Sequence, residues 1–272
     1  MFRYRRAMST QQSPAGVTAI ILAGSRPGPD PLLDGSGVST KALLPVAGRP
    51  MLAHVLDTLS RHRSVGPIVV LAQDIAGLRA DPALAAWTND PAILFMESGA
   101  GISRSVLAAI DGPAKMPVLL TTADNVLLSA AMIDSMIAGA EGCDIAVGMV
   151  ERRVLFARYP QSRRTWLKFR NGWWSGANLF WIGSDRARPM LERWQSIEQD
   201  RKKGMKIVGA FGPLLLGGAL LRILTIQGAA ARLGKRFGAV ARIVALPQAE
   251  ACIDVDKPDD LVLVEAILAR RD

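Results

Sequence analysis

Lys41 follows a glycine- and proline-rich stretch, Leu22-Ala23-Gly24-Ser25-Arg26-Pro27-Gly28-Pro29-Asp30, and precedes a buried-type run, Ala42-Leu43-Leu44-Pro45-Val46. Glycines at the end of a strand let backbone N–H groups approach a polyphosphate closely. A lysine just beyond them can neutralise the charge that gathers there. The loop is not a Walker P-loop, because no Gly-Lys-Ser/Thr closes it, and its glycine spacing is not that of a dinucleotide fingerprint. Further along, Thr121-Thr122-Ala123-Asp124-Asn125 ends another apolar run. A carboxylate there suits Mg²⁺, which takes one or two carboxylates together with phosphate oxygens; a turn or capping aspartate is the simpler alternative. Near the C-terminus, Ile253-Asp254-Val255-Asp256-Lys257-Pro258-Asp259-Asp260-Leu261 places Asp254 and Asp256 on one side of an extended segment. Asp256 could equally cap a last helix that has Pro258 in its first turn.

Alternating strands and helices must position these groups. Apolar runs predict strands at Val17–Leu22, Pro67–Ala72, Ala92–Met96, Val118–Thr121 and Ile145–Val150. Helical spacing predicts helices at Pro50–His62, Ser103–Ile110 and Ala130–Ala140. Continuous apolar strands separated by helices imply a parallel sheet covered on both faces. After Val150 the chain turns aromatic and basic, with strands expected at Trp166–Phe169, Asn178–Ile182 and Ala241–Leu246. Helices are expected at Asp185–Asp200, within Ile207–Leu233 and at Pro258–Arg270. Residues 1–15 read as a flexible tail. Residues 16–272 read as a single domain with a nucleotide-binding half, 16–150, and an acceptor-binding half, 151–272.

In this order the segments resemble the nucleotidyltransferase family with the GT-A-like fold. That family includes molybdenum-cofactor guanylyltransferases, sugar-1-phosphate nucleotidyltransferases and methylerythritol-phosphate cytidylyltransferases. The resemblance implies an α/β fold: three layers, α/β/α, around a mostly parallel mixed sheet of Rossmann-like type. It also implies a reaction in which NTP and a phosphorylated acceptor give NDP-acceptor and pyrophosphate. Leu22, Ala23, Gly24 and Ser25 would then hold the nucleotide, with Thr122 and Asp124. Arg26 and Lys41 would stabilise the α-phosphate and the leaving pyrophosphate. Asp124 and Asp256 would hold Mg²⁺. The acceptor would meet Asn125, Lys168, Arg170, Gly176 and Asn178, the last two from Ser175-Gly176-Ala177-Asn178-Leu179-Phe180. The path from Arg26 to Lys41 is longer than the compact loop usual in the family. Glu97-Ser98-Gly99-Ala100-Gly101-Ile102-Ser103-Arg104-Ser105-Val106-Leu107 is similar to an element of cytidylyltransferases. By that likeness Ser98, Gly99, Arg104 and Ser105 would contact the base, and CTP is favoured. Without the likeness this segment is a helix start capped by Ser103.

Composition narrows the partners without choosing one. The chain has 272 residues, is 50% apolar and carries a formal net charge of +9, which suits anionic ligands. Arg163, Arg164, Lys168, Arg170, Lys202 and Lys203 suggest a doubly anionic small acceptor. The same cations interleaved with Trp166, Trp173 and Trp174 would serve a non-enzymatic binder of nucleic acid, the less favoured reading. Residues 204–236 could lie peripherally on a membrane surface. A GT-A-type glycosyltransferase is a further alternative, although its usual Asp-x-Asp reads Ala123-Asp124-Asn125 here. Cys143 and Cys252 are far apart and lack metal-type spacing; with no apolar leader run, a reduced cytoplasmic setting is expected. His54 and His62 read as structural.

Overall fold

A computed structural model describes residues 16–25, 28, 30–99, 101–199 and 223–271. The expectations placed on residues 1–15, on Arg26 and on the cations Lys202 and Lys203 fall outside these residues, as does most of the 204–236 segment.

The first half contains the five expected strands and three expected helices, with two short strands and two short helices added to them. Strand β1 (Val17–Leu22) is followed by a small antiparallel pair, β2 (Pro45–Val46) and β3 (Arg49–Pro50). Then come α1 (Met51–Ser60), β4 (Val65–Ala72), α2 (Ile75–Ala80), α3 (Ala85–Thr88) and β5 (Ile93–Glu97). Next are α4 (Ile102–Asp111), β6 (Val118–Thr122), α5 (Ala130–Gly139) and β7 (Ile145–Glu151). The later part adds α6 (Arg152–Arg158), β8 (Leu167–Phe169), β9 (Gly172–Ile182) and α7 (Arg188–Gln199). It closes with α8 (Ile226–Arg236), β10 (Ala241–Ala245) and α9 (Pro258–Leu268).

The main sheet has eight strands in the order β10-β7-β9-β6-β1-β4-β5, with β8 paired to β9. Strands β6, β1, β4 and β5 run parallel, as do β10 and β7. Both faces are covered, because alternate residues of each strand enter different cores. Ala19, Ile21, Ile68, Val70 and Leu119 pack with Leu52, Leu56 and Leu59 of α1 and Met132, Ile133 and Met136 of α5. Ile20, Val69, Leu71, Val118 and Leu120 pack with Val106 and Ala109 of α4 and Leu191 of α7. This is the expected three-layer α/β/α architecture with a mostly parallel sheet.

Strand β9 departs from the expected strand at Asn178–Ile182. It begins at Gly172 and runs antiparallel between β6 and β7. Its register against β7 shifts between Val147 and Met149. Asn178, beside this shift, has φ 47°, a left-handed conformation that asparagine tolerates better than most side chains. Helix α4 starts at Ile102, because Gly101 (φ 112°) occupies its N-cap position in place of Ser103. Helix α6 was not anticipated; Glu151 caps it by accepting the Arg153 N–H at 2.8 Å. Of the expected helical stretch within Ile207–Leu233, residues 223–233 are described: 223–225 are not helical, and α8 begins at Ile226, where Thr225 caps it by accepting the Gly228 N–H.

Candidate active site

Parallel sheets gather ligands at the carboxyl ends of their strands, and the segments singled out above meet there. The glycine loop leaves β1 at Leu22. The Ala23 N–H donates to Leu71 at 2.8 Å, which keeps the loop root in the sheet. Gly24 is exposed and lies against Gln73; a Cβ at Gly24 would stand 2.8 Å from the Gln73 Oε1. Gln73 in turn brackets Ser25, accepting its N–H at 2.9 Å and donating to its carbonyl at 3.2 Å. The Ser25 and Thr40 hydroxyls are 3.3 Å apart, tying the start of the loop to its return. Lys41 opens a short 3₁₀ turn whose Ala42 and Leu43 are buried, so its backbone is fixed by the core.

The Lys41 side chain reaches two carboxylates far away in the sequence. Its Nζ is 2.9 Å from Asp124 Oδ2 and 2.8 Å from Asp256 Oδ1. Asp124 follows β6, where the Ala123 N–H donates to Leu22 and the Thr122 hydroxyl donates to Asp124 Oδ1 at 2.5 Å. The closing segment is laid against it, with the Val255 N–H donating to the Asp124 carbonyl at 3.2 Å. Asp254 also joins the group. One carboxylate oxygen from each of Asp124, Asp254 and Asp256 lies within 4.8 Å of the others. Behind them, Arg164 Nη1 is 2.5 Å from Asp254 Oδ1 and Arg164 Nη2 is 2.7 Å from Asp260 Oδ1. The Asn178 amide donates to Asp254 Oδ2 at 2.7 Å.

The charges explain the protonation tendencies. Burial alone would lower the Lys41 ammonium, but Asp124 and Asp256 more than reverse this and raise its pKa. Burial pushes the Asp254 carboxyl up to about 6, helped by the neighbouring charges of Asp256 and Asp124 and opposed by Arg164. A cluster of carboxylate oxygens is the hard donor set that Mg²⁺ prefers. Asp124, Asp254 and Asp256 therefore fit a divalent cation by donor chemistry and by spacing.

The other residues singled out occupy varied positions. Ser98 follows β5, its N–H donating to Ala72 at 2.8 Å. Its enclosed hydroxyl finds no hydrogen-bond partner among the described residues. Gly99 and Arg104 are exposed. Ser105 is buried and donates its hydroxyl to the Gly101 carbonyl at 2.9 Å, inside the first turn of α4. Asn125 is buried, its amide facing Thr121 Oγ1 at 3.1 Å and the Ala177 carbonyl at 3.4 Å. Gly176 is exposed in β9, with open space where a Cβ would stand. Lys168 lies over the Trp173 ring, 4.4 Å from its centroid. Arg170, in the β8–β9 turn, is exposed and its N–H donates to Leu224 at 3.0 Å. Arg164 is the main departure from the expected acceptor cations, because it turns inward onto Asp254 and Asp260. Nothing in the local sequence separates it from its exposed neighbour Arg163. Asp260 was hidden in the same way, as one of two acidic residues in the first turn of α9. His54 Nε2 lies 2.9 Å from the Val46 carbonyl, and both cysteines are buried and free.

Fold and site define an α/β protein of the nucleotidyltransferase type. More particularly, the chain belongs to the MobA-like NTP transferase domain family, whose sequence profile matches residues 19–210. It is 34% identical over 135 residues to 2-C-methyl-D-erythritol 4-phosphate cytidylyltransferase of Aeromonas hydrophila subsp. hydrophila. That match covers 48% of this chain and 51% of the relative, so the chain spans about half the length of the curated relative it matches. A hypothetical transferase structure from Thermus thermophilus is 25% identical with a TM-score of 0.75, over 90% of this chain and 99% of that one. 4-Diphosphocytidyl-2C-methyl-D-erythritol synthase from Anaerococcus prevotii shares the fold, at 13% identity and a TM-score of 0.59 over 94% of this chain and 97% of that one. Among the described residues, no helix is long and apolar enough to cross a membrane.

Proposed function

We propose that this protein transfers a nucleoside monophosphate from an NTP, with CTP favoured, to the phosphate of a small acceptor, releasing pyrophosphate in a Mg²⁺-dependent reaction. The observation that carries this reading is the convergence of Lys41, Asp124 and Asp256 at the mouth of the glycine loop. An acceptor phosphate oxygen attacks the α-phosphorus, and the bond from that phosphorus to the bridging oxygen of pyrophosphate breaks. The acceptor brings its own nucleophile, so the protein's work is positioning and charge neutralisation.

The backbone of Leu22–Ser25 holds the triphosphate, since exposed Gly24 allows close approach. Lys41 Nζ neutralises charge on the α-phosphate and, with Arg26, on the departing pyrophosphate. Asp124, Asp256 and Asp254 would hold the divalent cation, which supplies charge neutralisation for the phosphates. Exposed Gly99 and Arg104 form the base end of the site with Ser98, and the buried Ser105 hydroxyl steadies that end by holding the Gly101 carbonyl. The cytidylyl chemistry in the names of the Aeromonas and Anaerococcus proteins supports the preference for CTP. Exposed Lys168 and Arg170 meet the acceptor's charge beside Gly176, while Asn125 and Asn178 shape this side through their inward hydrogen bonds. Residues 16–272 act as one unit in the cytoplasm.

The test is pyrophosphate release with each common NTP against phosphorylated polyols and hydroxy acids, with Mg²⁺ or with EDTA. Release that requires CTP, an acceptor and Mg²⁺ supports the proposal. Turnover only with GTP would move the reading to a guanylyltransferase of the molybdenum-cofactor type. Consumption of sugar nucleotides without pyrophosphate would move it to glycosyl transfer.

A further inference from the structure

Arg164 lies between α6 and β8 and is fully engaged. Its side chain is 8% exposed. Nη1 bonds Asp254 Oδ1 at 2.5 Å and the Asp254 carbonyl at 3.4 Å, Nη2 bonds Asp260 Oδ1 at 2.7 Å, and Nε faces the Ser162 hydroxyl at 3.4 Å. The remaining oxygens of those carboxylates are also taken. Asp254 Oδ2 accepts from Asn178, and Asp260 Oδ2 accepts the Asp256 N–H at 3.2 Å. One guanidinium thus fixes both ends of the Asp254–Asp260 segment, with Asp256 between them.

The segment needs such a clamp. Oxygens of Asp124, Asp254 and Asp256 lie within 4.8 Å of one another, and like charges this close drive their backbones apart. Lys41 offsets Asp124 and Asp256 from the loop side, and Arg164 offsets Asp254 from behind. A planar fork can bridge two carboxylates at once, which an ammonium on a flexible stem does poorly. We infer that Arg164 is the positioning residue of this site: it holds the Asp254–Asp260 segment so that Asp254 and Asp256 face Asp124, without itself touching substrate. The inference deepens the metal-site reading above and rests on that reading for its metal readout alone.

The test compares the full-length wild type with Arg164→Lys, Arg164→Ala and Asp260→Asn. Calorimetric titration with Mn²⁺ alone should show about 10- to 100-fold weaker binding in Arg164→Lys, as for other groups that orient metal ligands. Amide exchange should quicken over residues 253–261 while β1 and β4 keep their protection. Asp260→Asn should give the same pattern more weakly, and guanidinium ion at millimolar concentration should restore Mn²⁺ binding to Arg164→Ala. Unchanged exchange over 253–261 in Arg164→Lys, or exchange that quickens equally everywhere, overturns the inference. If the wild type binds no Mn²⁺, the metal reading falls, and the exchange measurement still decides the role of Arg164.

Discussion

Replacing Lys41 by Met keeps an unbranched apolar stem and removes the terminal ammonium, with its charge and its hydrogen-bond donors. In the folded protein this deletes both short contacts of Nζ, to Asp124 and to Asp256. The carboxylates it bridged then face each other and Asp254 with oxygens inside 4.8 Å. At an effective dielectric of about 20, a like pair at that separation repels by about 3.5 kcal/mol. Solvent reduces this, because the Asp256 side chain is 51% exposed, and exposed pairs contribute only about 0–1 kcal/mol. The expected loss of stability is therefore about 1–2 kcal/mol, or about 2–4 °C in Tm for a chain of this size. The effect on chemistry should be larger, because the ammonium acts where charge develops in the transition state. A single preorganised donor of this kind is worth about 100- to 1,000-fold in kcat. Pyrophosphate release gives the rate and scanning fluorimetry gives Tm, each with and without Mg²⁺. Added Mg²⁺ should narrow the Tm gap by neutralising the same carboxylates, while leaving turnover low. A Lys41→Met protein that turns over at the wild-type rate would refute the role given to this ammonium. One that fails to fold would refute the reasoning in the other direction.

Gly24→Ala should be nearly neutral for stability, because the added Cβ meets only the end of an exposed Gln73 side chain. It disturbs the Gln73–Ser25 bracket, so the KM for NTP should rise by about fivefold, the worth of one hydrogen bond, with kcat largely kept. Asn178→Asp keeps a residue that tolerates φ 47° but sets a carboxylate where an amide donated to Asp254 at 2.7 Å; urea unfolding should show a loss of about 2 kcal/mol. Asn178→Gly, which loses the hydrogen bond without adding charge, should lose less. Burial pushes the Cys252 thiol up to about 12 and also raises that of Cys143. At pH 8 only about one Cys252 in ten thousand is then thiolate, and a chromogenic disulfide reagent should leave it unlabelled until denaturant is added.

Much of the architecture was legible because local pattern and burial agree. Ala19–Leu22 and Val118–Leu120 are apolar without interruption and lie inside a sheet covered on both faces. Lys41, Asp124 and Asp256 could be found because each sets a polar group beside apolar residues where a plain core would not need one. The direction and place of β9 could not be read. Strand direction is decided by the neighbours that accept its hydrogen bonds, and Gly172–Ile182 mixes glycine, aromatic and polar residues in a way that marks neither. Helix α6 was missed for a related reason: it is a single short basic segment whose cap, Glu151, is also the last residue of β7. Arg164 illustrates the limit for the site. A basic side chain's burial depends on carboxylates ninety or more positions away, and no spacing rule within its own segment reports them.

The late arrival of β9 sets the order in which the protein can be completed. Strands β6 and β7 are synthesised before residue 172 exists, yet β9 is their partner in the finished sheet. A growing chain that has not yet delivered residue 182 leaves both with unsatisfied backbone edges, flanked by apolar side chains such as Leu119 and Val147. Such edges are templates for pairing with other chains. A fragment ending near residue 150 would therefore tend to aggregate rather than behave as a free-standing nucleotide-binding module, and chaperone demand during synthesis should peak just before the last strand of that gap emerges.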